Sequence, residues 1–535
     1  FTETIIPGVM DGLEALGEKD LPPIILRGHD TDAKRVMEAA LPIYSNLYTT
    51  FKYNGESLTT YNPQAEWIDN NTALSSLGSV HISNVHILAN LEPFRYGSPD
   101  FIKKSTIAMH RDYKANGLHL YPQASYWDWP YTADAADPRL LQIDRDWIWY
   151  AAWGRYAWNC EQDSTEENSY WSRQIGELYG SEKAGHLILE AYEESGEIAP
   201  KLLRKFGISD GNRQTLLLGM TMSQLVNPEK YHVYESFVRS SGPPGERLDL
   251  FVRKELNGEP HSGETAPMVA SQVVEHGQKA KEAIDRAARF VKTNNEEFER
   301  LRNDMYCYDA IARFFASKIE AAQLILEYKY TGDISKLQAA IPPAEKSVEY
   351  FRELTNLTRD HYLYANSMQT QQRRIPIAGI DGKYKTWQEM LPVYEQELEN
   401  LKRNVSKLSE GGAGTDTHRK LEPVVVQIKN PKMKEVILER GARIYSDQDF
   451  YIEDMDPALE GMKFYLLSYN EQLKGPTSIT FNTEKKVHLL TGYFNGNSLR
   501  LLPPPALETN ATANEYGQAD IKIANAMTVN GLFPV

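Results

Sequence analysis

Ser79–Pro130 reads SVHISNVHILANLEPFRYGSPDFIKKSTIAMHRDYKANGLHLYPQASYWDWP, and the order of its parts decides the fold. An apolar run, Val85 to Leu91, ends on a carboxylate, Glu92, with Phe94, Arg95 and Tyr96 close behind. A buried parallel strand delivers polar residues at its C-terminal end in this manner. Ser98-Pro99-Asp100 follows, with Ser able to accept from the free N–H groups of a helix start and Pro at the first helical position. A helix to about Tyr113 is expected. Gly117 to Tyr121 then reads as another short strand, whose exit carries Gln123, Tyr126, Trp127, Asp128 and Trp129. Two successive strand ends are thus loaded with acids, amides and rings.

Upstream the same alternation holds. A helix ending near Asp20 leads to the strand Pro23–His29, which presents Arg27 and His29. Asp30 or Thr31 caps a helix through about Leu41. The β-rich run Leu47–Tyr53 ends in Lys52, Asn54, Gly55 and Glu56, and Asn62-Pro63 opens a further helical stretch. Strand and helix alternating in this way predict right-handed βαβ units and a parallel sheet. A closed eight-stranded barrel needs about twice this length. Residues 1–143 are therefore either a portion of a (β/α)8 (TIM) barrel whose first half lies outside this chain, or a smaller open sheet. Both ends of the chain read as cut, so a fragment or a processed product is expected.

Downstream the period becomes helical. DRDWIWYAAWGRYAWN, from Asp144, predicts a helix rich in Trp and Tyr, and Ser164-Thr-Glu-Glu167 is a capping box. Segment 226–264 is rich in Pro and Gly and reads as loop. Helices are predicted over Met268–Thr293, Glu296–Tyr330, Ala344–Thr355 and Trp387–Leu408, with short connections that imply antiparallel packing. The four tryptophans Trp147, Trp149, Trp153 and Trp158 are expected to pack between this helical domain, 144–410, and the barrel portion. After the glycine-rich link Gly411–Thr417, two-residue alternation with turn signals predicts a C-terminal β-sandwich over 418–535. The fold class is therefore α/β plus all-α plus all-β.

The 535 residues carry a formal charge of −15, which makes a nucleic-acid backbone an unsuitable partner. No run of about 18 apolar residues is present, so no membrane span is expected. Cys160 and Cys307 lie far apart beside aromatic residues and read as buried thiols. HExxH, CxxC and GxxxxGK[ST] motifs are all missing, which leaves zinc-hydrolase and P-loop readings without support; neither a metal nor a cofactor is expected.

The segments LYTTFKYNGESLTT and NVHILANLEPFRYG resemble consecutive late-barrel strands of glycoside hydrolase family 67, the α-glucuronidases, and of related barrel proteins of polysaccharide-degrading systems. In that family one strand carries Lys-Asn-Gly with an Asp shortly after it, and the next carries an apolar run ending in Glu; the two carboxylates are base candidates of an inverting hydrolysis. Lys52, Asn54 and Gly55 match the first motif with Tyr53 inserted, and Glu92 falls where the family has its Glu. The Asp has no equivalent, because Glu56, Ser57 and Leu58 occupy its region. The resemblance covers roughly residues 20–210. It implies a secreted, periplasmic or extracellular bacterial enzyme.

The residues fit such chemistry on their own terms. Glycosidic cleavage needs two carboxyl groups across the sugar, about 5.5 Å apart for retention and about 6.5–9.5 Å for inversion. Glu92 is the first catalytic candidate, against the reading of a glutamate paired with Arg95, and Glu56 is the second, against ordinary turn composition. Arg27, His29, Lys52, Asn54, Arg95, Tyr121, Trp127 and Asp128 are the candidate substrate contacts, since rings stack on sugar faces and Arg or Lys pairs with a uronate. His81 reads either as a substrate contact or as a satisfied structural histidine. Three functions remain open: a glycoside hydrolase on acidic, uronic-acid-containing or rhamnose-rich polysaccharide, a non-catalytic carbohydrate-binding relative, and a polysaccharide lyase with Lys52 or Tyr53 as base. The remainder of the barrel, including a general acid, is expected before Phe1 or on another chain.

Overall fold

The computed structural model describes residues 1–28, 31–54, 58–63, 66–77, 80–85, 93–121, 129–207, 216–228, 233, 243–365, 386–410, 426–428, 433–455, 459–474, 481–483 and 527–529. The chain divides into two compact units, Phe1–Ser406 and Lys407–Val535.

The first unit is built on four strands: β1 (Ile24–Arg27), β2 (Leu47–Lys52), β3 (Val80–Val85) and β4 (Gly117–Leu120). They pair in parallel in the order β1-β2-β3-β4, as the alternation predicts. The third begins earlier than expected. Its described part is VHISNV, in which His81, Ser83 and Asn84 interrupt the apolar signal that pointed to 85–91.

Helices α1 (Ile5–Leu16), α2 (Ala33–Ala40), α3 (Glu66–Ser75) and α4 (Pro99–Arg111) accompany the strands. α2 opens where Asp32 accepts from the Arg35 N–H, and α4 where Ser98 accepts from the Phe101 N–H with Pro99 behind it. Each cap satisfies one orphan donor of a helix start. Leu26, Met37, Ala40, Tyr44, Leu47 and Leu74 form a small core between sheet and helices.

A much larger core belongs to the helical region. It contains α5 (Trp147–Trp158), α6 (Ser164–Tyr179), α7 (Glu182–Gly196), α8 (Ile198–Phe206), α9 (Leu248–Asn257), α10 (Ala266–Ala287), α11 (Asn295–Thr331), α12 (Ile341–Thr358) and α13 (Trp387–Glu410). The register of contacts makes the main pairs antiparallel. Gly277 of α10 lies against Asp309 of α11, whereas Asp285, further along α10, meets Arg302 and Tyr306, further back on α11. The α7–α10 pair runs the same way, with Glu194 on His276 and Glu190 on Arg286. So does α6–α7, where Gly185 sits so close to Ser172 and Gly176 that a Cβ would fall 2.0 Å from a carbonyl oxygen. Helix α9 was hidden in the segment read as loop, since its ten residues lie between Pro243-Pro244 and Gly258.

Trp149 and Trp153, four residues apart on one face of α5, are fully buried, and Trp147 is partly buried. Trp158 is 92 % exposed. Five residues beyond Trp153 it is turned about 140° away from that face, which removes it from the expected interface. Cys160 and Cys307 are buried free thiols.

In the second unit the described strands form antiparallel pairs: β5 (Val426–Ile428) with β9 (Phe481–Thr483), β6 (Lys434–Ile437) with β8 (Lys463–Leu466), and β7 (Ile452–Met455) with β10 (Met527–Val529). Leu438, Ile444, Tyr445, Ile452, Leu459 and Val529 form its core.

Candidate functional site

The parallel register sorts the side chains of the sheet into two faces, because paired residues point the same way and neighbours along a strand point oppositely. One face carries Leu26, Thr49, Phe51, His81 and Ser83, and α2 and α3 cover it. There the Thr49 hydroxyl lies 2.9 Å from His81 Nδ1, Asn71 of α3 lies 2.9 Å from His81 Nε2, and Phe51 packs on Trp67 at 5.7 Å. Burial pushes the His81 imidazole down to about 4, so the ring is neutral at ordinary pH. His81 is thus the satisfied structural histidine of the two readings.

The opposite face carries Ile25, Arg27, Tyr48, Thr50, Lys52, Val80, Ile82, Asn84 and His119. It is most open along β1, where Ile25 is 53 % exposed and Arg27, the last residue of the strand, is exposed as well. Toward the C-terminal ends it becomes polar. Lys52, Asn84 and His119 pair across three adjacent strands and so form one row. Lys52 and Asn84 are buried, while His119 is exposed. The Asn84 amide lies 2.9 Å from His119 Nδ1, and the Tyr121 ring, centred 5.2 Å from the imidazole at a tilt of 33°, flanks it. Beyond β2, Asn54 is buried and donates to Thr59 Oγ1 at 2.9 Å and to the Thr60 carbonyl at 3.2 Å. The Tyr113 hydroxyl donates to the Tyr53 carbonyl at 2.5 Å, and Arg204 of α8 donates to the Thr59 carbonyl at 3.1 Å. The helical region thereby holds Thr59, beyond β2.

Arg95 has a different environment from the one expected of a substrate contact. Its side chain is 2 % exposed and meets three carboxylates: Asp134 at 3.0 Å, Glu297 at 2.7 Å and Asp304 at 2.9 Å. Its N–H also donates to Asp304, its carbonyl accepts from Tyr308, and Tyr362 donates to the other oxygen of Asp304. Arg145 shares Asp134 at 2.8 Å, meets Asp146 at 2.7 Å and donates to the Pro93 carbonyl. Burial raises the Asp134 carboxyl, but the two guanidinium groups more than reverse this and hold it well below the usual range. Burial wins at Asp304 and Asp146, which are raised. With four carboxyls against two guanidinium groups, that split follows from the charge excess. These donors are committed to protein partners, so Arg95 clasps the stretch from Pro93 to α11 and leaves the candidate substrate contacts. A pocket of about 40 Å³ beside the clasp is lined by Asp134, Arg300, Asn303 and Tyr362, among others.

Of the other sequence candidates, Arg27, Lys52, Asn54 and Tyr121 lie at or beyond the C-terminal ends of their strands. Glu56, Glu92, His29, Trp127 and Asp128 lie outside the described residues. Asn84 and His119 were missed by the sequence reading. The signal available was two-residue parity: with Lys52 inward, a parallel register makes Asn84 and His119 inward as well. Among the described residues no group of three or more His, Cys, Asp or Glu is placed to hold a metal ion, and no helix is long and apolar enough to cross a membrane.

No protein-family model and no curated protein matches the chain. A solved structure does, described as a "GH138 enzyme targeting pectin rhamnogalacturonan II". The identity is 56 % and the TM-score 0.74, with 76 % of this chain and 59 % of that chain covered. The present chain therefore spans less than two thirds of the length of the structure it matches. The neighbour is a glycoside hydrolase described by family 138, where the sequence resemblance pointed to family 67.

Proposed function

We propose that this chain is part of a glycoside hydrolase that cleaves an acidic, rhamnose-rich pectic polysaccharide of the rhamnogalacturonan II type. The observation that carries the reading is the 56 % identity to a glycoside hydrolase described as targeting that polymer. The site agrees with it in kind. Polar residues gather at the C-terminal ends of parallel strands, where α/β enzymes work.

In this reading Glu92, which like Glu56 lies outside the described residues, is the catalytic carboxylate, with Glu56 the second candidate. The chain immediately after Glu92 is firmly anchored: the Pro93 carbonyl accepts from Arg145, and Arg95 is clasped by Asp134, Glu297 and Asp304. An anchor of this kind fixes the described stretch that follows Glu92, and acid–base catalysis requires its groups in a fixed geometry.

The sheet supports a companion proposal about architecture. Its sequential order lacks the reversal of a doubly wound sheet, and helices cover one face while Ile25 and Arg27 are exposed on the other, as in a segment of a (β/α)8 barrel. Further parallel strands, from a longer form of this protein or another chain, would complete the barrel and supply a general acid. An α-glucuronidase-like specificity, a β-sandwich over 418–535 and a periplasmic or extracellular setting belong to the same proposal. Incubating the intact protein with rhamnogalacturonan II and with its acid-released oligosaccharides, and resolving the products by anion-exchange chromatography, tests it. A released uronic acid or rhamnose supports the reading, and an unchanged profile with every substrate rejects it.

A further inference from the structure

We propose that His261 is a pH-operated latch: as an imidazolium it bridges Glu246 and Glu255 and holds the strap Gly258–Glu264 against α9, and on losing a proton it releases the α9 side of that bridge. The inference is independent of the glycosidase reading and rests on how many hydrogens one ring can donate.

The strap returns along the segment that precedes α9. Gly245 and Glu264 form a bridge, the Glu246 N–H donates to the Glu264 carbonyl at 3.0 Å, and the Glu264 N–H donates to the Pro244 carbonyl at 2.8 Å. The approach is so close that a Cβ on Gly263, whose φ of 67° already favours glycine, would fall 1.9 Å from the Pro244 carbonyl oxygen. His261 sits within the strap and stacks on Phe251 of α9, with ring centres 4.4 Å apart and planes 21° from parallel. Its Nδ1 lies 2.8 Å from Glu246, and its Nε2 lies 2.6 Å from Glu255 of α9.

An ionised carboxylate only accepts, and a neutral imidazole has one N–H. The two contacts together therefore require either a doubly protonated ring or a protonated carboxylate. Burial raises the Glu246 carboxyl, but Lys254 at 2.6 Å, His261 and Ser262 all donate to it and hold it at about 2. The Glu255 side chain is 57 % exposed, and water favours its charged form. The second proton is thus on the ring, and its hydrogen bonds to Glu246 and Glu255 raise the imidazole above its ordinary value. Other charged groups on the packed elements have partners of their own. Arg247 and Arg253 meet Asp249, Glu259 accepts from Asn257, and on α8 Arg204 meets Glu264 while Lys205 donates to the Glu264 carbonyl.

In the neutral ring the buried Glu246 keeps the remaining N–H, on Nδ1, and the lone pair of Nε2 is turned against Glu255. The attraction of an imidazolium for the Phe251 face goes in the same step. A histidine raised in the folded chain stabilises it fully below about pH 6.5, the unfolded value, and that contribution is lost as the pH rises through the folded midpoint above it. The strap so held is also tied to the sheet, since Arg204 meets Glu264 at 2.6 Å and donates to the Thr59 carbonyl beyond β2.

The test uses the intact protein. With 15N-histidine labelling, the His261 ring should titrate above about 6.5, and its neutral form should carry the proton on Nδ1. Glu255→Gln should lower that midpoint at an unchanged melting temperature, which a ring held only by stacking would not show. Hydrogen exchange, corrected for the intrinsic rate at each pH, should find the strap amides about two- to fivefold less protected at pH 9 than at pH 6, the scale of a partly exposed ion pair. In His261→Gln, which donates an N–H but does not titrate, protection of the strap should be the same at both values. Glu255→Gln keeps the test open should His261→Gln fail to fold. A His261 midpoint at or below about 6.5, or one that Glu255→Gln leaves in place, overturns the inference, as does a pH-dependent strap in His261→Gln.

Discussion

The two faces of the four-stranded sheet carry similar residues in opposite circumstances. On the face under α2 and α3, the polar groups Thr49, His81 and Asn71 satisfy one another in the dry interior. On the open face, Arg27 and His119 are exposed and the row Lys52–Asn84–His119 leads to the strand exits. Arg95 provides a third case. It stands three residues past Glu92, at the strand end where chemistry was expected, yet it is buried among carboxylates. A polar residue at a strand end is therefore not by position alone a substrate contact. Parity along the strand and the partners met by the side chain decide.

Breaking the clasp should have the largest effect. Arg95→Ala strands Asp134, Asp304 and Glu297 without their shared cation, and removing one partner of a buried ion network costs about 3–5 kcal/mol. Chemical denaturation should register that loss. A variant with wild-type stability would return Arg95 to the list of substrate contacts.

The covered face comes next. His81→Ala leaves Thr49 and Asn71 short of a partner and opens a cavity, at an expected cost of about 2–4 kcal/mol, whereas His119→Ala on the open face should stay within about 0.5 kcal/mol of wild type. Equal costs for the two histidines would erase the distinction between the faces.

Much of this was legible in the sequence. The alternation of strands with capped helices predicted a parallel sheet, and Ser98-Pro99 marked the start of α4 to the residue. The start of β3 was obscured because His81, Ser83 and Asn84 break the apolar signal, and the bonds that His81 and Asn84 make there exist only in the folded sheet. The clasp was not legible at all: Glu297 and Asp304 lie some two hundred residues from Arg95, and no local pattern announces a contact of that span. Likewise α9 could not be told from its Pro- and Gly-rich flanks until its buried Leu248 and Val252 had a core to face.

A smaller effect concerns pH. Glu193 accepts from the Ser98 hydroxyl and from the Asp100 N–H at the start of α4. Burial pushes its carboxyl up to about 8 against those hydrogen bonds. An unfolded glutamate titrates near about 4.3, so the folded chain retains a proton that the unfolded chain has lost. The stabilisation is full below about pH 4.3 and is lost as the pH rises through about 8. The melting temperature should therefore decline from about pH 6 to about pH 9, and the decline should be shallower in Glu193→Gln. A steeper decline in the variant would assign the wrong sign to this group.

The central claim is that Glu92, just before the stretch Pro93–Arg95 anchored by Arg145 and the clasp, acts on a glycosidic bond. The direct measurement is kcat of Glu92→Gln on a rhamnogalacturonan II oligosaccharide cleaved by the wild type, with thermal melting alongside. The account predicts a loss of roughly 10² or more in turnover, the scale of a positioned acid or base, at an unchanged melting temperature. Wild-type turnover at an unchanged melting temperature would contradict it and remove Glu92 from the mechanism.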